Sequence, residues 1–419
     1  MGPQTTVLDN GIRIVTESNP NVRSVSLGIW VKAGSRHDPS GSEGIAHFTE
    51  HVMFKGTKRR TALQIAKEID ALGGILNAHT AKEHSAYYIK VLDEHLGKAI
   101  DVLSDIFLNS EFKPEEIEKE KNVVLQEIRM TEDTPDDYVA ELFSMAFFHN
   151  TPLGVSILGS PPTVKGFTRD HVISFIDQAY SPNAIVIAGV GNLDHARVVD
   201  LLRSRFKSYN RAHNHNRELT TPPMGGGCLA RHKDLEQVHI ALGTQGPKVT
   251  DNKRWAYVVL NTVLGGGMSS MLFQEAREKL GIVYSIYSYL SAYEDCGVLA
   301  VYAGTSDDHV SQTIEVIGAQ ARRLKQGDFA GLKLEDVREQ IKGHLLLARE
   351  STESRMATLA KNVIYYGRDV PVDEVIEKIN SVRAQDLVEL AEEIFVEDNM
   401  TLVALGKVED FQLKGCLAL

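Results

Sequence analysis

Cysteine is scarce. The chain has three in 419 residues, Cys228, Cys296 and Cys416, widely separated and odd in number, which argues against a disulfide framework and against a Cys-based zinc site. Long apolar runs are missing too: none approaches the ~20 residues of a membrane helix, and the opening MGPQTTVLDNGIRIV lacks the basic and apolar regions of a secretory signal. The chain is therefore expected in the cytoplasm, without a membrane partner. Positive charge is in deficit, 45 Lys and Arg against 56 Asp and Glu, for a net charge of −11. No basic patch offsets it, so no nucleic-acid partner is expected. What is present is ordinary globular material, 43% hydrophobic and 24% charged, which excludes disordered and low-complexity scaffolds. The length suggests two domains.

One composition break stands out, at residues 210–227, where His, Asn, Pro and Gly replace hydrophobic periodicity. It divides the chain into an N-terminal domain at 1–209, a linker, and a C-terminal domain at 228–419. In the first block, strand patterns at 25–31, 74–80 and 85–92 alternate with helical patterns at 43–56, 61–73, 94–109 and 114–132. In the second, strands at 238–243, 283–291 and 297–304 and helices at 252–264, 269–280 and from 307 repeat that order. Helices interrupting short β pairs, without regular βα alternation, predict an α+β fold made of two α/β sandwich repeats, each a mostly antiparallel sheet with helices. Gly265, Gly266 and Gly267 do not make a phosphate loop, because no Lys-Ser/Thr follows and no strand leads into them.

Chemistry gathers in the helical stretch 44–54, where His47, Glu50 and His51 form the pattern His-x-x-Glu-His. At about 100° per residue all three share one face within a turn. Two imidazoles at i and i+4 suit one Zn²⁺, and the carboxylate between them is placed to take a proton from an attacking water. A catalytic zinc uses a third protein ligand. Residues 113–130 carry Glu120 and Glu127 beside an apolar ridge of Ile117, Val124 and Ile128, yet helical periodicity alone does not choose among the acids there.

Together the inverted zinc motif His47–His51, the downstream segment Val123–Ile128, the segment Gly73–Thr80 and the segment Arg277–Tyr284 resemble the pitrilysin (inverzincin) family of metallopeptidases. The resemblance is to its shorter bacterial type, similar to the mitochondrial processing peptidase β subunit, and it covers nearly the whole chain. It implies the processing-peptidase-like fold, with two homologous repeats, and a zinc-dependent endopeptidase with one Zn²⁺ per chain held by His47, His51 and Glu127. It further implies Glu50 as general base and Glu120 as a supporting carboxylate. Asn77 and Ala78 match the edge strand on which the family lays its substrate, and Arg277 and Tyr284 match a second-domain pair that completes the site. A homodimer enclosing a chamber, acting on unstructured peptides or presequence-like segments, follows by the same resemblance. Leu280 and Ile282 depart from the residues usual around the intervening glycine, which bears on subsite preference.

The rival readings are a non-catalytic or partner-dependent subunit of a heterodimeric complex, and a metal-dependent hydrolase of small molecules. A complete zinc motif in one chain speaks against the first. His79 and His84 are expected to be structural and to point to opposite faces of a strand pair. His213 and His215 belong to a polar linker.

Overall fold

The computed structural model describes residues 2–211 and 225–408. Most of the expected linker, with His213 and His215, and also Cys416, lies outside them. One sheet contains β1 (Gln4–Val7), β2 (Arg13–Ser18), β3 (Ser24–Val31), β4 (Ile75–Thr80), β5 (Ser85–Leu92) and β6 (Ile185–Gly191), in the order β1-β2-β6-β3-β5-β4. A second contains β7 (Gly227–His232), β8 (Val238–Gln245), β9 (Val283–Ala292), β10 (Gly297–Thr305) and β11 (Thr401–Gly406), in the order β7-β11-β8-β10-β9. The β2–β6 and β7–β11 pairs are parallel and all others antiparallel. Apart from β1 the two layouts are the same, as the repeat of patterns predicts.

In the first unit, strand alternation builds two cores. Val25, Leu27, Ile29 and Val31 of β3 point to one face, where they meet Phe48 of α1 (Ile45–Met53), Ile65 of α2 (Ala62–Ala71), Leu103 of α3 (Leu96–Asn109) and Val124 of α4 (Pro114–Asp133). Trp30, Ala86, Val186 and Ala188 point to the other face, which the helix Thr352–Tyr366 covers with Met356, Leu359 and Val363. Ser26 and Thr352 add a buried hydroxyl–hydroxyl bond of 2.9 Å. Each fully buried side chain of this kind is worth roughly 1.5–3 kcal/mol of burial.

The compact units therefore do not follow the linear blocks 1–209 and 228–419. The first consists of the residues up to Met130, those from Val155 to Arg211, and Leu347–Val370. The second takes Thr131–Gly154 together with the rest of the described C-terminal residues. Its own covering helix is α5 (Pro135–Phe147), whose Val139, Phe143 and Phe147 pack on Ala241, Val298, Ala300 and Val403. Gly243 makes room for it, since a Cβ there would lie 2.5 Å from the Phe143 ring. The composition break marks where the chain becomes polar, whereas unit membership is set by which sheet a helix covers.

Candidate metal centre

α1 starts at Gly44, whose φ of 95° is left-handed and whose missing Cβ would stand 2.6 Å from the Leu158 carbonyl oxygen, so glycine is required twice over. The buried Asp38 carboxylate accepts from the amides of Gly44 at 2.7 Å and Ala46 at 3.1 Å, which satisfies the helix start and sets its direction. Burial pushes the Asp38 carboxyl up to about 7 against those two bonds. With Ile45, Ala46, Phe48, Val52 and Met53 all buried, α1 is locked in the core, and its remaining face carries the histidines.

His47 and His51 lie one turn apart, their ring centroids separated by 4.6 Å. Glu127 of α4 reaches them both: its Oε2 is 3.6 Å from Nε2 of His47 and 3.4 Å from Nε2 of His51. One ligand atom from each of the three residues falls within 4.8 Å of the others. Two imidazoles and a carboxylate converging on one point fit a zinc ion in both donor type and spacing. Glu120, two turns before Glu127 on α4, places Oε2 3.2 Å from Nδ1 of His51, the position of the outer carboxylate that fixes a ligating imidazole. Among the described residues His47 has no equivalent, its Nδ1 being buried without a hydrogen-bond partner.

The titrations follow from these contacts. Burial, joined by the charge of His51 and opposed by Glu127, lowers His47 to about 4. Burial also pulls on His51, but the bonds to Glu120 and Glu127 and the charges of Glu127 and Glu50 outweigh it and hold His51 up to about 9. The hydrogen bond from His51 keeps Glu127 below the usual carboxylate range. Glu50 is raised by burial, against a hydrogen bond from Thr80 and the charge of His51.

Thr80 is a contact that the sequence reading gave no role. At the end of β4 its hydroxyl donates to Oε2 of Glu50 at 2.6 Å. β4 is the edge strand of its sheet and runs alongside α1. Strand alternation puts Ala78 and Thr80 on the face toward α1, while Asn77 and His79 face the other way. Asn77 caps its neighbour's amide, with Ala78 N–H donating to Oδ1 at 2.8 Å. The expectation that His79 and His84 point to opposite faces is corrected: both rings lie against Trp30, at 5.3 and 5.4 Å, and 5.8 Å from each other. His84 belongs to the turn between β4 and β5, where strict alternation does not apply. Arg277 and Tyr284 lie in the second unit, on a π-helical turn (Phe273–Lys279) and on the edge strand β9. Tyr284 is 72% exposed, and the Arg277 guanidinium carbon lies 5.7 Å from its ring centre.

A His₂Glu donor set, with a further carboxylate on the same helix and an edge strand beside it, is an arrangement suited to a metallopeptidase. Residues 13–161 match the profile of the insulinase-type peptidases, family M16, and residues 166–341 that of the peptidase M16 inactive domain. An uncharacterized zinc protease of Bacillus subtilis is 43% identical over 93% of this chain and 95% of its own. One of Streptomyces coelicolor is 37% identical over 97% and 90%. The crystal structure of a protease from Helicobacter pylori shares the fold, with a TM-score of 0.89 at 24% identity over 97% of this chain and 99% of that one. The chain thus belongs to peptidase family M16.

Proposed function

We propose that the chain is a zinc-dependent endopeptidase that hydrolyses unstructured peptides or presequence-like segments, working in the cytoplasm as a homodimer that encloses a chamber. The observation that carries the catalytic reading is the convergence of His47, His51 and Glu127 within 4.8 Å, with Glu50 on the same helix. Zinc bound by these three supplies Lewis acidity toward water and the peptide carbonyl. Glu50, within a turn of both histidines, takes the proton of the attacking water and delivers it to the leaving amine. Thr80 holds the Glu50 carboxylate in place, and Glu120 holds His51. β4 offers its open backbone edge to an extended peptide, so that main-chain bonds supply affinity and sequence preference stays loose. Arg277 and Tyr284, by the family resemblance, bind the substrate from the second unit.

A non-catalytic or partner-dependent subunit is not favoured, since ligands and base occur together in one chain. Among the described residues no helix is long and apolar enough to cross a membrane. The decisive experiment is metal analysis of the purified chain together with cleavage of an unstructured peptide library, with and without a chelator. One zinc per chain and chelator-sensitive cleavage are expected; peptide cleavage unaffected by complete metal removal would refute the reading. For the chamber, cleavage of a stable folded protein is compared with cleavage of the same chain destabilised, while mass in solution is measured. Equal rates, or full activity from a strict monomer, would leave an open-cleft protease instead.

A further inference from the structure

We infer that Lys55 is a positioning residue of the metal centre, holding Glu120 so that Glu120 in turn holds the His51 imidazole. Lys55 follows the end of α1, four residues beyond His51, and its Nζ lies 2.7 Å from Oε1 of Glu120. The other carboxylate oxygen of Glu120, Oε2, is the one 3.2 Å from Nδ1 of His51. The two oxygens are thus divided between the lysine and the histidine. The Glu120 side chain is only 5% exposed, and a buried carboxylate needs charge-bearing partners to stay ionised. An ionised Glu120 accepts from Nδ1–H and fixes the tautomer that leaves Nε2 free for the metal. Among the described residues His47 Nδ1 has no hydrogen-bond partner, so the outer hydrogen-bonded support of the two histidines runs through Lys55, Glu120 and His51.

The inference rests on the zinc reading, and the experiment separates the two. Zinc dissociation constants are measured by chelator competition for the full-length wild type, Lys55→Met, Lys55→Arg, Glu120→Gln and the double variant Lys55→Met/Glu120→Gln, with the melting temperature of each metal-free protein as a control on folding. Lys55→Met should weaken zinc by about tenfold, the lower end of the ~10 to 100-fold seen for outer-sphere changes. Lys55→Arg should restore most of it. In the Glu120→Gln background Lys55→Met should cost almost nothing further, because two residues acting through one contact are not additive. Wild-type affinity in Lys55→Met, or the same tenfold loss with Glu120 already replaced, would overturn the inference. Failure of the wild type itself to bind zinc would overturn the metal site.

Discussion

Loading the metal should expel one proton per chain at mildly acid pH, and the proton should come from His51. A ligating imidazole must be neutral, yet the metal-free site holds His51 up at about 9 and His47 down at about 4. At pH 6, His51 is then mostly charged and His47 mostly neutral. Glu127, held low by His51, has no proton to give. Zinc affinity should therefore rise about tenfold per pH unit between roughly pH 4 and 9, because stability of the complex follows the number of protons released. At pH 7, discharging His51 costs roughly 3 kcal/mol of the intrinsic binding free energy. The assay is calorimetric titration of metal-free protein with zinc at pH 6 in two buffers of different ionisation enthalpy, whose difference in heat gives the proton count. Running it also on Glu50→Gln removes the neighbouring acid whose charge the metal influences. A count near zero would mean that Glu120 and Glu127 do not charge His51; a count near two would mean that burial does not discharge His47.

Four further outcomes follow from the same geometry. Glu50→Gln should retain zinc and fold but lose ~10² to 10⁴ in turnover, the usual worth of a general base; peptide cleavage within about tenfold of wild type would remove Glu50 from that role. His47→Ala, His51→Ala and Glu127→Ala should each lose stoichiometric zinc in metal analysis of the purified protein, and full occupancy in any of them would break the ligand set. Thr80→Val removes a hydrogen bond that lowers Glu50, so the acid limb of the kcat/KM profile should move to higher pH, with an unmoved limb counting against the contact. Leu359→Ala, at a position with 0% exposure on the second face of the first sheet, should destabilise the chain by about 2–5 kcal/mol in denaturant unfolding, and a loss below about 1 kcal/mol would deny that this helix is core.

What the sequence discloses here is local periodicity. His47, Glu50 and His51 fall on one helical face because 3.6-residue spacing decides the matter; the same spacing makes α3 and α4 visible, and period-two alternation does so for β3. Glu127 is different: α4 is rich in acids, so periodicity does not choose among them, and only the family resemblance singles out the one whose carboxylate lies beside His47 and His51. Thr80 was within reach, since period-two alternation puts it on the face of Ala78, but nothing local says that this face meets Glu50. Asn77 and Ala78 lie on the edge strand β4, and alternation sends their side chains to opposite sides of it. The covering helices were hidden most completely. The apolar face of Thr352–Tyr366 shows that it must be buried, while the identity of the sheet beneath it is a property of the whole chain.

That exchange of covering helices has a consequence for how the protein comes into being. β6, the last strand of the first sheet, is complete at Gly191, but the helix that closes its second face begins at Thr352. At synthesis rates of ~5 to 20 residues per second, roughly ten to thirty seconds of translation separate the two. During that interval Trp30, Ala86, Val186 and Ala188 form an apolar surface on a nascent chain with nothing yet made to cover it, the kind of surface that chaperones bind and that aggregates when they do not. The same wiring constrains the gene: a break at the polar segment after Arg211 would yield two polypeptides, each lacking one helix of its own sandwich, so neither could complete its core without the other.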